Sequence, residues 1–336
     1  MDDEIVETPP SRADEASNGS EETPAEPREP ELVVHSLANI GDSISQGFDA
    51  DDTAPIDINA ITEGRAHTIF RDNPALSWVQ GTDARLDSVA SHYKALDPDL
   101  VLTPLSRSGS ELVRDFEKQA RELGKRKVTP DLVYVLLGGN DICNRRGSDP
   151  ATAMYSVEKW REAAIKGLTA LTEELPSGAT VRVVSMPRVD ILYEKLGDAS
   201  VPVTYASPIG TVNASSTCKA LWTLTAQNGN AGICPLVTLQ SSAEKRKVIG
   251  QRIDQYNEAL AAEVRRFDAD PELNPKRISF QSDWHGSIDS GAAKNSSGGT
   301  FVYEQEHVSK LDCFHPSIVG QQAIADLVLN KANWRP

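Results

Sequence analysis

The sequence predicts an α/β fold in which a central parallel sheet of about five strands carries helices on both faces. Three observations predict it. Apolar runs suited to strands alternate along the chain with segments of helical spacing. The clearest run, Leu132-Val133-Tyr134-Val135-Leu136-Leu137, is apolar without alternation, as a strand covered on both faces must be. Small polar residues gather where the runs end, the edge at which such sheets place their sites.

The first strand is predicted over residues 32–38. It feeds Asn39-Ile40-Gly41-Asp42-Ser43-Ile44-Ser45-Gln46-Gly47, where a glycine beside a serine allows a sharp turn. Residues 49–73 carry many Asp, Thr and Pro and read as a surface excursion. A helix is predicted over 83–96, with Leu86, Val89, Ala90, Tyr93 and Leu96 on one face. The second strand, 100–105, runs into Ser106-Arg107-Ser108-Gly109-Ser110. In the next helix Leu112, Val113, Phe116, Ala120 and Leu123 share a face, and Gly124 is read as its stop. The third strand, 132–137, enters Gly138-Gly139-Asn140-Asp141. A helix over 152–175 and a fourth strand over 181–186, closed by Pro187, follow. Residues 197–241 are rich in Ser, Thr, Pro, Gly and Asn and read as an inserted loop. A long helix over 243–267, a short fifth strand over 277–280 and a polar loop over 282–299 come next. The last helix is expected to begin at Pro316, which suits a first helical position.

Charge divides the chain unevenly. Of 336 residues with a net charge of -15, the first 31 hold eleven acidic residues against Arg12 and Arg28. That stretch has almost no large apolar residue to offset chain entropy, so residues 1–31 are expected to be a disordered tail and 32–336 a single domain. An acidic chain without a basic stripe is a poor nucleic-acid binder. No apolar stretch is long enough to span a membrane, and no signal peptide is visible, although a chain already cleaved would look the same. The histidines and cysteines show no metal-ligand spacing, so neither metal nor cofactor is expected. Cys218 and Cys234 flank a Gly/Asn-rich segment inside the insertion. A disulfide between them would close a loop of about 15 residues, worth roughly 3 kcal/mol. Two buried free thiols are the alternative. A disulfide implies an oxidising compartment.

Four places carry candidate chemistry: Ser43 after the first strand, Gly109 after the second, Asn140 after the third, and Asp312-Cys313-Phe314-His315-Pro316 before the last helix. On its own, Gly41-Asp42-Ser43 is equally a turn with a helix cap. Together the four supply an acyl-transfer set. Ser43 is placed to attack an ester carbonyl, His315 to carry the proton, and Asp312 to hold the imidazole, provided residues 312–315 form a turn. The backbone N–H groups of Ser43 and Gly109 and the Asn140 amide are the candidate oxyanion donors. A side chain at 109 is expected to obstruct close approach. Asp42 and Asp141 read as loop-shaping acceptors, and His35 as a packed core histidine. His285 and His307 read as surface residues, His285 with a minor chance of lining a pocket. Residues 244–247 read as a solvated helix start, and Trp222 as packing or as a substrate contact.

Gly41-Asp42-Ser43-Ile44, Gly109, Gly138-Gly139-Asn140-Asp141 and Asp312-Cys313-Phe314-His315-Pro316 resemble the four sequence blocks of the SGNH (GDSL) hydrolases, in the family's order. Ile44 stands where the family name has leucine. The α/β-hydrolase elbow Gly-x-Ser-x-Gly is absent around Ser43. The resemblance implies a flavodoxin-like three-layer α/β/α sandwich and a metal-free serine esterase. The Asn-Asp-x-Cys and Asp-Cys-x-His-Pro-Ser patterns, with residues 77–83, resemble the secreted lipase and phospholipase B-like branch. If Asn140 and His315 face one pocket, Cys143 and Cys313 are neighbours, and a second disulfide between them is expected. The substrate class implied is a small-molecule or lipid acyl ester. The rival readings are a carbohydrate O-acetylesterase and a non-catalytic lipid- or glycan-binding module. The protein is expected to act as a monomer, secreted, at the cell surface or in a periplasm.

Overall fold

The computed structural model describes residues 34–144, 147–228, 232–282, 292–294, 300–302 and 304–329. The tail expected over 1–31 lies outside these residues, as does His285. In chain order the strands are β1 (Ser36–Gly41), β2 (Ile56–Asp57), β3 (Val101–Pro104), β4 (Leu132–Leu136), β5 (Thr180–Val184), β6 (Ser200–Ser207), β7 (Gly210–Thr217), β8 (Ser279–Ser282), β9 (Ala292–Lys294) and β10 (Thr300–Val302). Five of them form the central sheet, all parallel, in the order β3-β1-β4-β5-β8. Counted along the chain this is 2-1-3-4-5, the doubly wound flavodoxin-like order. The order reverses between β1 and β4, so the carboxyl ends of those two strands border the crevice where such sheets bind ligands.

Helices cover both faces. On one, Leu112–Arg126, Val157–Glu174 and Ala243–Ala269 lie side by side. Gly167 makes their approach possible, because a Cβ there would sit 2.1 Å from the Phe116 ring. On the other, Arg182 of β5 donates to the Val328 carbonyl at 3.0 Å, in the last helix Ile318–Val328. Trp78 packs edge-on against Tyr134 of β4 at 5.5 Å. Every residue of β4 is buried, as its uninterrupted apolar sequence requires.

Caps set several boundaries that periodicity misplaced. The helix expected from residue 83 begins at Val89, because the Ser88 hydroxyl accepts the Ser91 N–H. The helix expected over 152–175 breaks at Ser156, which caps Val157–Glu174. Gly124 does not stop its helix, which runs on to Arg126 and ends at Lys127 with φ +56. Ser317, not Pro316, is the cap of the last helix. His35 is not a core residue: its ring is largely exposed and pairs with Asp97 at 2.6 Å.

The two segments read as loops are packed. Residues 49–73 contain β2 and the helix Ile58–Thr62, with Ile56, Ala60 and Ile61 fully buried. Residues 197–241 hold a hairpin of β6 and β7 and two helices, Cys218–Gln227 and Pro235–Thr238. β2 adds to that hairpin in parallel, so the two excursions share one small sheet. Most of 282–299 lies outside the described residues, but β9 within it pairs antiparallel with β10.

All four cysteines are disulfide-bonded, in pairings other than those expected: Cys143 with Cys234 and Cys218 with Cys313. The insertion is not stapled to itself. Trp222 on Cys218–Gln227 donates to the Asp312 carbonyl at 2.9 Å, which brings Cys218 against the loop holding Cys313. Pro235–Thr238 packs on the short helix Gly139–Cys143, which brings Cys234 to Cys143. Each bridge spans more than 90 residues of sequence, the separations being 91 and 95. Closing loops of such length removes much unfolded-chain entropy. Replacing either pair by serines should therefore lower the unfolding free energy by about 2–5 kcal/mol in urea titrations. Non-reduced peptide mapping should return the same two pairings, and a Cys218–Cys234 peptide would contradict them.

Candidate active site

β1 ends at Gly41, whose backbone is clamped by one side chain: its N–H donates to Gln119 Oε1 at 2.9 Å and its carbonyl accepts from Gln119 Nε2 at 3.0 Å. A Cβ at Gly41 would lie 2.4 Å from Ser45 Oγ, so only glycine fits there. Ser43 follows with helical backbone angles and opens a single 3-10 turn, Ile44–Gln46. The Asp42 carboxylate accepts the Ile44 N–H at 3.0 Å, and Gln46 reaches Ser106. Gln321 fixes the turn from below, donating to the Ile44 carbonyl at 3.1 Å and accepting the Trp78 N–H at 2.9 Å.

Residues 312–315 form the turn their spacing demands. Asp312 Oδ1 accepts the N–H groups of Phe314 at 2.9 Å and His315 at 3.0 Å. His315 Nδ1 donates to Asp312 Oδ2 at 2.5 Å. With Nδ1 protonated, Nε2 is the acceptor, and it receives the Ser43 hydroxyl at 2.8 Å. Asp312 is fully buried. The turn is closed by Ser309 N–H to the His315 carbonyl at 2.8 Å and by Cys313, at φ +56, donating to the Ser309 carbonyl at 2.9 Å. Phe48 covers the imidazole, ring centroids 4.7 Å apart.

Gly109 and Asn140 line the same cleft as Ser43 and His315. Gly109 holds φ +82, a conformation that favours glycine, and a Cβ there would meet nothing within 4 Å. Within the protein, backbone conformation is thus what requires glycine. Asn140 stands on Gly139–Cys143, following Gly138 at φ +136. One amide hydrogen of Asn140 goes to the Ser110 carbonyl at 3.0 Å, and the amide carries two. Asp141 accepts the Leu112 and Val113 N–H groups at 2.6 and 3.0 Å, at the start of the preceding helix Leu112–Arg126, as a loop-shaping acceptor should.

The cleft has a volume of about 850 Å³. Ser43, Gly109, Asn140 and His315 are among its lining residues. Ile233, Leu236 and Leu239 from the insertion, with Phe314 and Val189, make an apolar wall. Lys245 reaches this cleft and donates to the Ser148 carbonyl at 3.0 Å, so the helix start over 244–247 is not simply a solvated face. Trp222, in contrast, is fully buried and does not line the cleft. Its indole N–H fixes the Asp312 backbone. His307 is buried as well, its Nδ1 accepting the Glu304 N–H at 2.9 Å, and burial holds its pKa below the ordinary value.

The profile of the GDSL-like Lipase/Acylhydrolase family matches residues 37–328. The chain belongs to this family. A curated relative, an acyloxyacyl hydrolase of Oryctolagus cuniculus, is 32% identical over 132 residues, 39% of this chain and 21% of that protein. The match thus spans about a fifth of the relative's length. Among solved structures, an acetyl xylan esterase from Geobacillus stearothermophilus superposes with a TM-score of 0.43 at 13% identity, covering 90% of this chain and 96% of its own. An alpha/beta hydrolase enzyme from the metagenome of Lake Arreo, Spain, gives 0.41 at 15% identity, covering 88% and 94%.

Asp42 is fully enclosed, and its Oδ2 has no hydrogen-bond partner among the described residues. Burial raises its pKa from 3.8 to about 6, against the opposing pull of the Ile44 N–H and of His315. The folded state therefore holds this proton more tightly than the unfolded chain. The resulting stability is complete below 3.8 and is lost as pH rises through about 6. Asp42→Asn keeps the acceptor for Ile44 and removes the buried charge. It should stabilise the fold at pH 8 by about 1–3 kcal/mol and flatten the decline between pH 4 and 7 in urea titrations. An unchanged slope would contradict this assignment.

Proposed function

We propose that the protein hydrolyses acyl esters through an acyl-enzyme on Ser43. The observation that carries this reading is the unbroken chain of hydrogen bonds from Asp312 through His315 to the Ser43 hydroxyl, opening on the cleft. Ser43 Oγ attacks the ester carbonyl as His315 Nε2 takes its proton. Asp312 holds the Nδ1–H tautomer and stabilises the imidazolium without taking the proton itself. The negative oxygen of the tetrahedral intermediate is received by the N–H groups of Ser43 and Gly109 and the second amide hydrogen of Asn140. Collapse expels the alcohol, protonated by His315. Water, activated by the same imidazole, then releases the acid and regenerates Ser43.

The apolar wall favours medium or long acyl chains, and the partial likeness to an acyloxyacyl hydrolase supports a lipid-like ester. An O-acetylesterase would use the same catalytic set but would leave that wall without an occupant. A non-catalytic binding module gives no reason for a serine held at hydrogen-bonding distance from a paired histidine. The two disulfides support a secreted protein working in an oxidising compartment.

A series of p-nitrophenyl esters tests the reading. Turnover should rise from acetate toward octanoate in kcat/KM and vanish in Ser43→Ala. Asn140→Ala should lose about 10²–10³ in kcat. Wild-type turnover by Ser43→Ala would exclude the nucleophile. Cleavage of acetate without octanoate would exclude the lipid reading in favour of an acetylesterase.

A further inference from the structure

Behind the triad lies a carboxyl group that the mechanism above does not use. Asp49 is buried, yet its backbone is held at φ +55, a conformation that asparagine, aspartate and glycine tolerate best. Its segment is laced to the His315 loop on every side. Phe48 packs against the His315 ring at a tilt of 49°. The Asp49 carbonyl accepts the Ser309 hydroxyl at 2.6 Å. The Ala50 carbonyl accepts the Ile318 N–H at 3.1 Å. The Lys310 N–H reaches the Asp52 carboxylate at 2.9 Å. The Asp49 and Asp312 carboxyl groups, both buried, interact with each other through charge and hydrogen bonding.

Two carboxylates can share a hydrogen bond only if one of them carries a proton. Counting acceptor sites says which. Asp312 receives three N–H groups, those of Phe314, His315 and the imidazole, so it is the ion. Of its roughly four lone-pair sites one is left. Asp49 receives the Arg71 N–H on Oδ1 at 2.8 Å, while its Oδ2 is enclosed and accepts from no N–H or O–H group among the described residues. An enclosed oxygen with nothing to accept is where a proton belongs.

We propose that Asp49 is a positioning residue that stays protonated at neutral pH and donates a hydrogen bond to Asp312, extending the chain to Asp49–Asp312–His315–Ser43. This rests on the roles proposed above for Asp312, His315 and Ser43. The Asp49 proton holds the Asp312 carboxylate in the plane that His315 needs. It also draws off part of the negative charge that Asp312 presents to the imidazole. Burial, followed by the repulsion of Asp312, holds the Asp49 carboxyl protonated, and Asp72 adds to that repulsion. The other charged groups around it are Arg71, Asp51 and Asp57, which line the adjoining pocket, and Arg85, which pairs with Asp51.

The kcat/KM pH profiles of wild type, Asp49→Asn and Asp49→Ala decide the matter, because the two protonation states predict opposite shifts. Asparagine keeps a neutral donor, so Asp49→Asn should keep kcat within about threefold and leave the acidic limb in place. Asp49→Ala removes the donor and leaves Asp312 with its full charge. Its kcat should fall about tenfold, with KM little changed, and its acidic limb should move to higher pH. If Asp49 were ionised, both variants would remove an anion, and both limbs would move to lower pH. If its role were merely structural, neither limb would move. Either result overturns the proposal. Should Asp49→Ala fail to fold, the Asn limb still discriminates, together with an infrared readout that needs no activity. The wild type at pH 8 should show a protonated-carboxyl band that Asp49→Asn lacks. Absence of that band refutes the protonated Asp49, whereas wild-type turnover by Ser43→Ala would refute the nucleophile and leave the band untouched.

Discussion

A carboxylate sealed from water must find its partners in the protein, and in this molecule that requirement governs the site. Asp312 has no exposed surface. Isolated burial of such a charge is costly enough that it would ordinarily take up a proton. Here the tight turn over residues 312–315 supplies two backbone N–H groups and an imidazole N–H. The same turn therefore solves a folding problem and aims His315 Nε2 at Ser43. Much of the surrounding architecture maintains it: the Ser309 contacts, the Trp222 indole on the Asp312 carbonyl and the bridge from Cys313 to Cys218.

The sheet decides where that turn meets its partners. Parallel strands present their carboxyl ends along one edge, and the reversal of order between β1 and β4 opens that edge. Ser43 leaves β1 and Asn140 leaves β4, on the two sides of the opening. The insertion lines the cleft with apolar side chains and is bridged to two of the segments of the candidate site. Cys143 lies three residues after Asn140, and Cys313 lies two before His315. The bridges thus tie the cleft wall to the segments that carry Asn140 and His315.

The parallel sheet and its helices were legible because strands buried on both faces leave continuous apolar runs such as 132–137. The candidate site was legible because it sits at strand ends, where Ser43, Gly109 and Asn140 interrupt those runs. The insertion was not. Its hairpin buries one face through Val201 and Val203 only, and its polar positions read as loop. The disulfide pairing is not legible, because neither proximity in sequence, for Cys218 and Cys234, nor a shared pocket, for Cys143 and Cys313, says which helix packs on which loop. Gln119 and Gln321 escape a reading of the sequence for a common reason. Each binds backbone groups far away in sequence, and no local pattern marks such a partner. His307 reads as a surface residue because a short polar segment hides its burial.

The central claim is that these scattered residues activate one hydroxyl. Stoichiometric labelling by a fluorophosphonate ester, read by intact mass and peptide sequencing, tests it most directly. A single adduct on Ser43, formed far more slowly in His315→Ala, is the predicted result. No adduct, or an adduct on another residue at the wild-type rate, would contradict it.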